Sequence, residues 1–68
     1  MAGKIQALID EIIEIRSHGN PGLASTTKAK LLLKGIDPNK YNSQSPDDPV
    51  IIAKVRQCAQ EMGIEVNQ

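Results

Sequence analysis

Apolar residues recur at helical spacing in three segments of the chain, and each segment runs into a glycine. In the first segment, one face of the helical wheel, about 160° wide, collects the large aliphatic residues: Ile5, Leu8, Ile9, Ile12, Ile13 and Ile15. Gly19 can take the left-handed conformation that ends a helix, and Pro21 cannot continue it. The pattern predicts an amphipathic helix over about residues 3–18.

A second helix is predicted over about residues 23–35, followed by a turn at Asp37–Lys40. Asn20 and Pro21 can serve as its N-cap and first residue, but Gly22 weakens that turn, and the alternative is a start at Ser25 or Thr26. The apolar positions that share one face predict the following buried stripe, which Ser25 and Thr26 extend: Ala29, Leu32, Leu33 and Ile36. Leu31 points away from this stripe.

The third helix is predicted over about residues 48–62, with Asp48 as N-cap because a residue before proline avoids helical angles. Its apolar stripe is flanked by Ile52 and Ala59 and has regular helical spacing: Ile51, Val55, Cys58 and Met62. A short strand at residues 50–53 is the competing interpretation. The helical period holds through Met62 and favours a helix.

The predicted ends of the second and third helices share the dipeptide Gly-Ile, at Gly35-Ile36 and Gly63-Ile64. In a Schellman ending, the residue after the glycine folds back onto the third residue from the helix end. This geometry pairs Ile36 with Leu31, and it pairs Ile64 with Ala59. Leu31 therefore has two competing interpretations, a contact under Ile36 or an exposed residue.

The length of 68 residues gives room for one domain, spanning residues 1–68, with a small core. Apolar residues make up 40% of the chain, and Tyr41 is the only aromatic residue among them. This profile favours a helical core over a β-sandwich or barrel. The sequence predicts an all-α fold, a compact three-helix domain.

The formal net charge is zero, but the charge is unevenly placed. Residues 1–14 carry −2, residues 15–36 carry +4, and the remainder carries −2. A neutral total argues against a protein whose main task is to hold the phosphate backbone. One basic segment remains as a candidate surface.

Within this segment, Leu31 lies between three lysines, Lys28, Lys30 and Lys34. A leucine framed by lysines could be an anchor for a partner protein, and these four residues are the predicted contacts. The ordinary alternative is the solvated side of a helix. A second alternative is a nucleic-acid interface, which the predicted connection of about a dozen residues between the second and third helices disfavours, because the helix-turn-helix motif uses three or four.

Arg16 and His18, together with the segment 19–22, form a weaker candidate for binding a small anion. A phosphorelay role for His18 is disfavoured, because it lies at a helix end, where histidine commonly caps the last carbonyls. A plain interhelical turn is the preferred interpretation.

Asp47 and Asp48 resemble paired carboxylates, but their position before Pro49 indicates a helix start.

We expect no catalytic residues, no metal site and no cofactor. Cys58 lies in an apolar stripe and is expected to be buried, and a single cysteine fits a reducing compartment. Polar residues interrupt the apolar residues after Met1, which predicts no signal peptide, and no apolar run is long enough to cross a membrane. The expected location is the cytoplasm.

The function predicted from the sequence is that of a non-enzymatic, bacterial-type cytosolic domain that binds a protein as an interaction or accessory module. The wide apolar stripe of the first helix also predicts self-association. The alternative function is nucleic-acid binding through the basic second helix.

Overall fold

A computed structural model of the protein describes residues 2–66. Its helices are α1 (Lys4–Ser17), α2 (Pro21–Leu33) and α3 (Pro49–Glu61), and a short 3-10 helix (Pro38–Lys40) lies between α2 and α3. The all-α, three-helix prediction is confirmed, and the helix ends differ from the predicted ones by one or two residues. The segment that could have been a strand is the first turn of α3.

The N-caps of α2 and α3 are the two residues that precede proline, as predicted. Asn20 Oδ1 accepts hydrogen bonds from the backbone N–H groups of Gly22 at 2.9 Å and Leu23 at 3.3 Å. Asp48 Oδ1 accepts one from the N–H of Val50 at 2.9 Å. These bonds satisfy amides that have no partner within the helix, and the two helices therefore begin at defined residues.

The C-terminal ends of α2 and α3 are both Schellman endings, as the shared Gly-Ile dipeptide predicts. The N–H of Ile36 donates to the carbonyl of Leu31 at 2.9 Å, and the N–H of Ile64 donates to the carbonyl of Ala59 at 2.9 Å. The glycine before each isoleucine has a positive φ, 89° in α2 and 75° in α3. All four paired side chains are buried, so each ending also adds apolar contacts to the core.

Helices α1 and α3 run in the same direction, because their first turns meet and their last turns meet. At the start, the N–H of Lys4 donates to Asp47 Oδ1 at 3.0 Å. At the end, Arg16 Nη1 donates to the carbonyl of Met62 at 3.4 Å. Asp47 thus caps α1, whose own N-cap residue Gly3 has no side chain, and the two aspartates serve two different helices.

The core lies between α1 and the other two helices, which both pack against it. Its fully buried large side chains come from all three helices and the turn after α2: Ile5, Leu8, Ile9, Ile12, Leu31, Ile36 and Val55. Ile13 and Ile15, at the edges of the wide α1 stripe, are partly buried against this cluster. Most of the stripe is thus covered within one chain, and self-association through α1 stays a prediction.

The orientation of α2 differs from the prediction. Its inward side carries Thr27 and Leu31, which are buried, whereas the predicted core residues Ala29, Leu32 and Leu33 are exposed. The predicted extension of that stripe by Ser25 and Thr26 is also exposed. Thr27 can lie in the core because its Oγ1 donates to the carbonyl of Leu23 at 2.8 Å, which satisfies the hydroxyl within the helix.

Candidate interaction surface on the second helix

The side of α2 that points away from the core carries no charged residue. We call it the outer face, and it consists of the residues within about 60° of Ala29, the position opposite the buried pair Thr27 and Leu31 on the helical wheel: Gly22, Ser25, Thr26, Ala29, Leu32 and Leu33. All six are exposed. An uncharged, fully exposed helix face is unusual for a surface that only meets water.

The C-terminal end of the outer face is strongly apolar. The side chain of Leu33 is 88% exposed and that of Leu32 is 57% exposed. Leu23 is 48% exposed at the other end of α2 and is separated from the outer face by Lys30 on the wheel. The core is filled by other residues, so folding alone does not account for these leucines.

Two exposed lysines border the outer face, one along each edge. On the wheel, Lys28 lies about 40° from Leu32, and Lys30 lies about 60° from Leu33. Helix α2 contains no acidic residue that could neutralise them. The outer face is therefore an uncharged strip, apolar at its C-terminal end, between two positive edges.

Lys34 and Leu31 do not belong to this surface, although the sequence grouped them with Lys28 and Lys30. Leu31 is fully buried, because it is the Schellman partner of Ile36, and this corrects its prediction as an exposed contact. Lys34 Nζ lies 2.5 Å from Glu61 Oε1 on α3. This hydrogen bond raises the pKa of Lys34, so its ammonium is already engaged with a carboxylate of α3.

A pocket of about 240 Å³ beside this ion pair is lined by the C-cap residue of α2 and by four residues of α3: Lys34, Lys54, Gln57, Cys58 and Glu61. Cys58 is buried, as predicted, and its burial raises the pKa of the thiol, which keeps it protonated at neutral pH. The ammonium of Lys54 lies against Gly35, since a Cβ at Gly35 would be only 2.8 Å from Lys54 Nζ. A cation at this point stabilises the C-terminal end of α2.

The candidate anion site at Arg16 and His18 is not assembled. Arg16 is directed to the end of α3, where it donates to the carbonyl of Met62. The first amides of α2 already donate to Asn20. His18 is exposed and forms the C-cap of α1, with its backbone N–H bonded to the carbonyl of Glu14 at 3.0 Å. This end of the fold is the interhelical turn that the sequence favours.

A second pocket, of about 390 Å³, lies where α1 and α3 begin, and its lining mixes apolar and polar residues: Ile5, Lys40, Tyr41, Ser45, Pro46, Asp48 and Ile51. The carboxylate of Asp48 is occupied as the N-cap of α3. The surrounding loop is held by its own bonds, such as that from the N–H of Asn42 to Ser45 Oγ at 2.9 Å. These polar groups serve the loop and the helix start.

Sequence reasoning missed the outer face because it followed the three consecutive leucines and placed two of them inside. The Gly35-Ile36 dipeptide at the end of α2 is the signal that could have identified the outer face. Where Gly-Ile follows a helix, the isoleucine folds back onto the third residue from the helix end. This contact places Leu31 inside and turns Leu32 and Leu33 outward. The same rule correctly places Ala59 in α3.

No protein-family model, no curated protein and no solved structure matches the chain. Within residues 2–66, no group of three or more His, Cys, Asp or Glu side chains is arranged to hold a metal ion. In the same part of the chain, no helix combines the length and the apolar character needed to cross a membrane. Among the described residues, the outer face of α2 places two large exposed apolar side chains next to each other.

Proposed function

We propose that this protein is a non-enzymatic interaction module, which binds a partner protein through the outer face of α2. One observation carries the proposal: Leu33 is 88% exposed beside Leu32 on a helix face without charge. Large exposed apolar side chains that adjoin one another mark interaction surfaces more often than single ones do. For the compartment, we propose the cytosol, since the single cysteine is a free thiol kept in the core.

The size of the surface favours a weak contact over a permanent one. Burying one leucine completely contributes about 1.5–3 kcal/mol. Association costs about 4–15 kcal/mol in lost translational and rotational freedom, so Leu32 and Leu33 alone cannot hold a partner tightly. The remainder of the outer face and its two lysine edges must contribute to the affinity.

A second candidate function is nucleic-acid binding through the two exposed lysines, Lys28 and Lys30. The basic segment and the absence of acids in α2 favour it. Between these lysines, however, phosphates would meet Leu32 and Leu33, and Lys34 is already paired with Glu61. Replacing both exposed lysines with glutamate should abolish binding to single-stranded or duplex DNA at low salt, and no binding by the original protein would remove this candidate.

The test of the main proposal is site-specific photo-crosslinking in the native cells. A photoreactive amino acid replaces Leu33 in one variant and Val50 in a matched control, because Val50 is 72% exposed but lies on α3. We expect position 33 to yield a crosslinked protein of defined mass that position 50 does not yield. Adding Leu32→Asp should remove the product.

Equal products from positions 33 and 50, or none from position 33, would contradict the proposal. Circular dichroism of each variant checks that the helices are retained. Both replaced side chains are largely exposed, so neither substitution should unfold the domain.

A further inference from the structure

We propose that the outer face of α2 binds an acidic, amphipathic helix of a partner protein. This inference rests on the proposed function and adds the chemistry of the partner. Three properties of the outer face support it: the small side chains along the helix, the positive charge at both edges, and the position of the leucines at one end.

The small side chains favour a helix as the bound element. Gly22, Ser25 and Ala29 follow one another at spacings of three and four residues, so they form a shallow exposed row along α2. A second helix can approach such a row closely, because no long side chain keeps the two axes apart. Thr26 belongs to the same surface, and its Oγ1 already donates to the carbonyl of Gly22 at 3.1 Å, so covering it leaves its hydroxyl donor satisfied.

The edges favour acidic groups on that helix. Lys28 and Lys30 flank the outer face on opposite sides, and no acidic residue of α2 offsets them. Carboxylates on both sides of an apolar stripe would meet these lysines while the stripe covers Leu32 and Leu33.

A second copy of the same chain is a poor occupant of this face. Two α2 helices packed antiparallel about an axis near Ala29 would bring the two Lys28 side chains together on one side of the contact and the two Lys30 side chains together on the other. Like charges placed in this way oppose the contact, and α2 contains no acid to relieve them.

An anionic membrane would also meet the lysines, but the outer face suits it badly. Interfacial helices bury a broad apolar face of large side chains. Here only the two leucines are large, and both lie at the C-terminal end of a helix of 13 residues. The remaining positions are small residues, which add little apolar area in lipid and favour a close protein contact.

The partner helix therefore has a describable form. Its length should match α2, whose 13 residues span about 20 Å. Its contact side should carry leucine, isoleucine or alanine at spacings of three and four residues. Glutamate or aspartate should border that stripe on both sides.

Three synthetic helical peptides of about four turns test this chemistry. The first has a leucine-alanine stripe bordered by glutamates, the second has lysines in place of the glutamates, and the third keeps the glutamates but has serines in the stripe. Each is titrated into the full chain while backbone amide shifts are followed by NMR. We expect the acidic peptide to shift the amides of Ala29, Leu32 and Leu33, and to bind at least about 10-fold more tightly than either control peptide.

Variants of the protein sharpen the result. Leu33→Asp should abolish binding of the acidic peptide, whereas Val50→Asp, at another exposed apolar position, should leave it unchanged. Lys28→Glu combined with Lys30→Glu should reverse the preference, so that the lysine peptide binds better than the glutamate peptide. All four positions are exposed, and circular dichroism checks the fold of each variant.

Several outcomes would overturn the inference. These are equal binding of the acidic and basic peptides, no binding by either up to about 1 mM, or amide shifts confined to other elements. A dimer in sedimentation equilibrium that Leu33→Asp dissociates would identify a second copy as the occupant. Binding to phosphatidylserine vesicles that Leu33→Asp abolishes would identify a membrane instead.

The peptide experiment and the crosslinking experiment fail separately. If the peptides do not bind but position 33 still crosslinks to a protein in cells, then the acidic helix is wrong and the interaction module remains. If position 33 gives no product either, the proposed function fails as well.

Discussion

Helix α3 buries Val55, Cys58 and Ala59 and leaves its charged and polar residues outside, whereas α2 buries one leucine and leaves Leu32 and Leu33 in solvent. The two helices have the same length, begin after the same kind of cap and end in the same Schellman motif. The local sequence signals that begin and end a helix are therefore the same in α2 and α3. What differs is the destination of the large apolar side chains: α3 exposes Val50 alone, whereas α2 exposes Leu32 and Leu33 side by side, and the proposed surface rests on this difference.

The largest effect is expected within α2 itself, from a pair of matched substitutions. Leu31→Ala should lower the free energy of unfolding by about 2–5 kcal/mol, because it empties a fully buried position under Ile36. Leu33→Ala should change it by no more than about 0.5 kcal/mol, because that side chain is 88% exposed. Urea unfolding followed by circular dichroism measures both. A similar loss in the two variants would erase the contrast between the faces of α2.

The next effect compares the shared helix endings. Gly35→Ala and Gly63→Ala should each destabilise the domain by about 1–2 kcal/mol, since an alanine must then adopt a positive φ. The α2 variant should lose slightly more, because its new Cβ displaces the ammonium of Lys54, whereas nothing lies within 4 Å at Gly63. Thermal unfolding gives the ranking. A neutral result at either position would show that the ending tolerates another conformation.

The helix starts should differ in their response to salt. Asn20→Ala and Asp48→Ala should each cost about 1 kcal/mol, because each removes a side-chain acceptor for helix amides. The loss at Asp48 should be larger at low salt and shrink as salt is added, because its negative charge also interacts with the start of α3. Unfolding in low and high sodium chloride separates these contributions, and the same salt response for both variants would contradict the assignment.

The smallest effect concerns the buried thiol of α3 at alkaline pH. Burial raises the pKa of Cys58, so the folded protein holds this proton more firmly than the unfolded chain does. The corresponding stability is complete below the usual thiol pKa of 9.0 and is lost as the pH rises through the raised value. Stability measured from neutral to alkaline pH should fall less in Cys58→Ala than in the original protein, and an identical fall would contradict this assignment. The ion pair of Lys34, whose pKa is also raised, weakens in the same direction and remains in both proteins.

The helices and their ends could be predicted from sequence because their determinants are local. Periodicity gave the segments, Asn20 and Asp48 marked two starts, and the glycines marked the ends. The stripe of α3 was also correct, since the opposite side of that helix is mostly polar and includes Arg56, Gln57 and Gln60.

The orientation of α2 could not be read from periodicity, because apolar and small residues occur around most of that helix. The prediction put Leu32 and Leu33 in the core because they share a face with Ala29. In the structure, Thr27 and Leu31 are buried instead, and the hydroxyl of Thr27 donates to a carbonyl of its own helix. The role of Asp47 as a cap for α1 was also out of reach, because it depends on a contact between residues 43 positions apart. The sequence identified the lysines at the edges, but it placed Leu31 between them, where the structure has Leu32 and Leu33.

The measurement that tests the account most directly is the solvent exposure of the three leucines in solution. A soluble paramagnetic probe broadens the NMR signals of methyl groups that it can approach. We predict strong broadening for Leu33, intermediate broadening for Leu32 and none for Leu31, in line with their exposed fractions of 88%, 57% and 0%. Broadening of Leu31 with protection of the other two would mean that α2 faces the core with its leucine stripe, and the proposed surface would not exist.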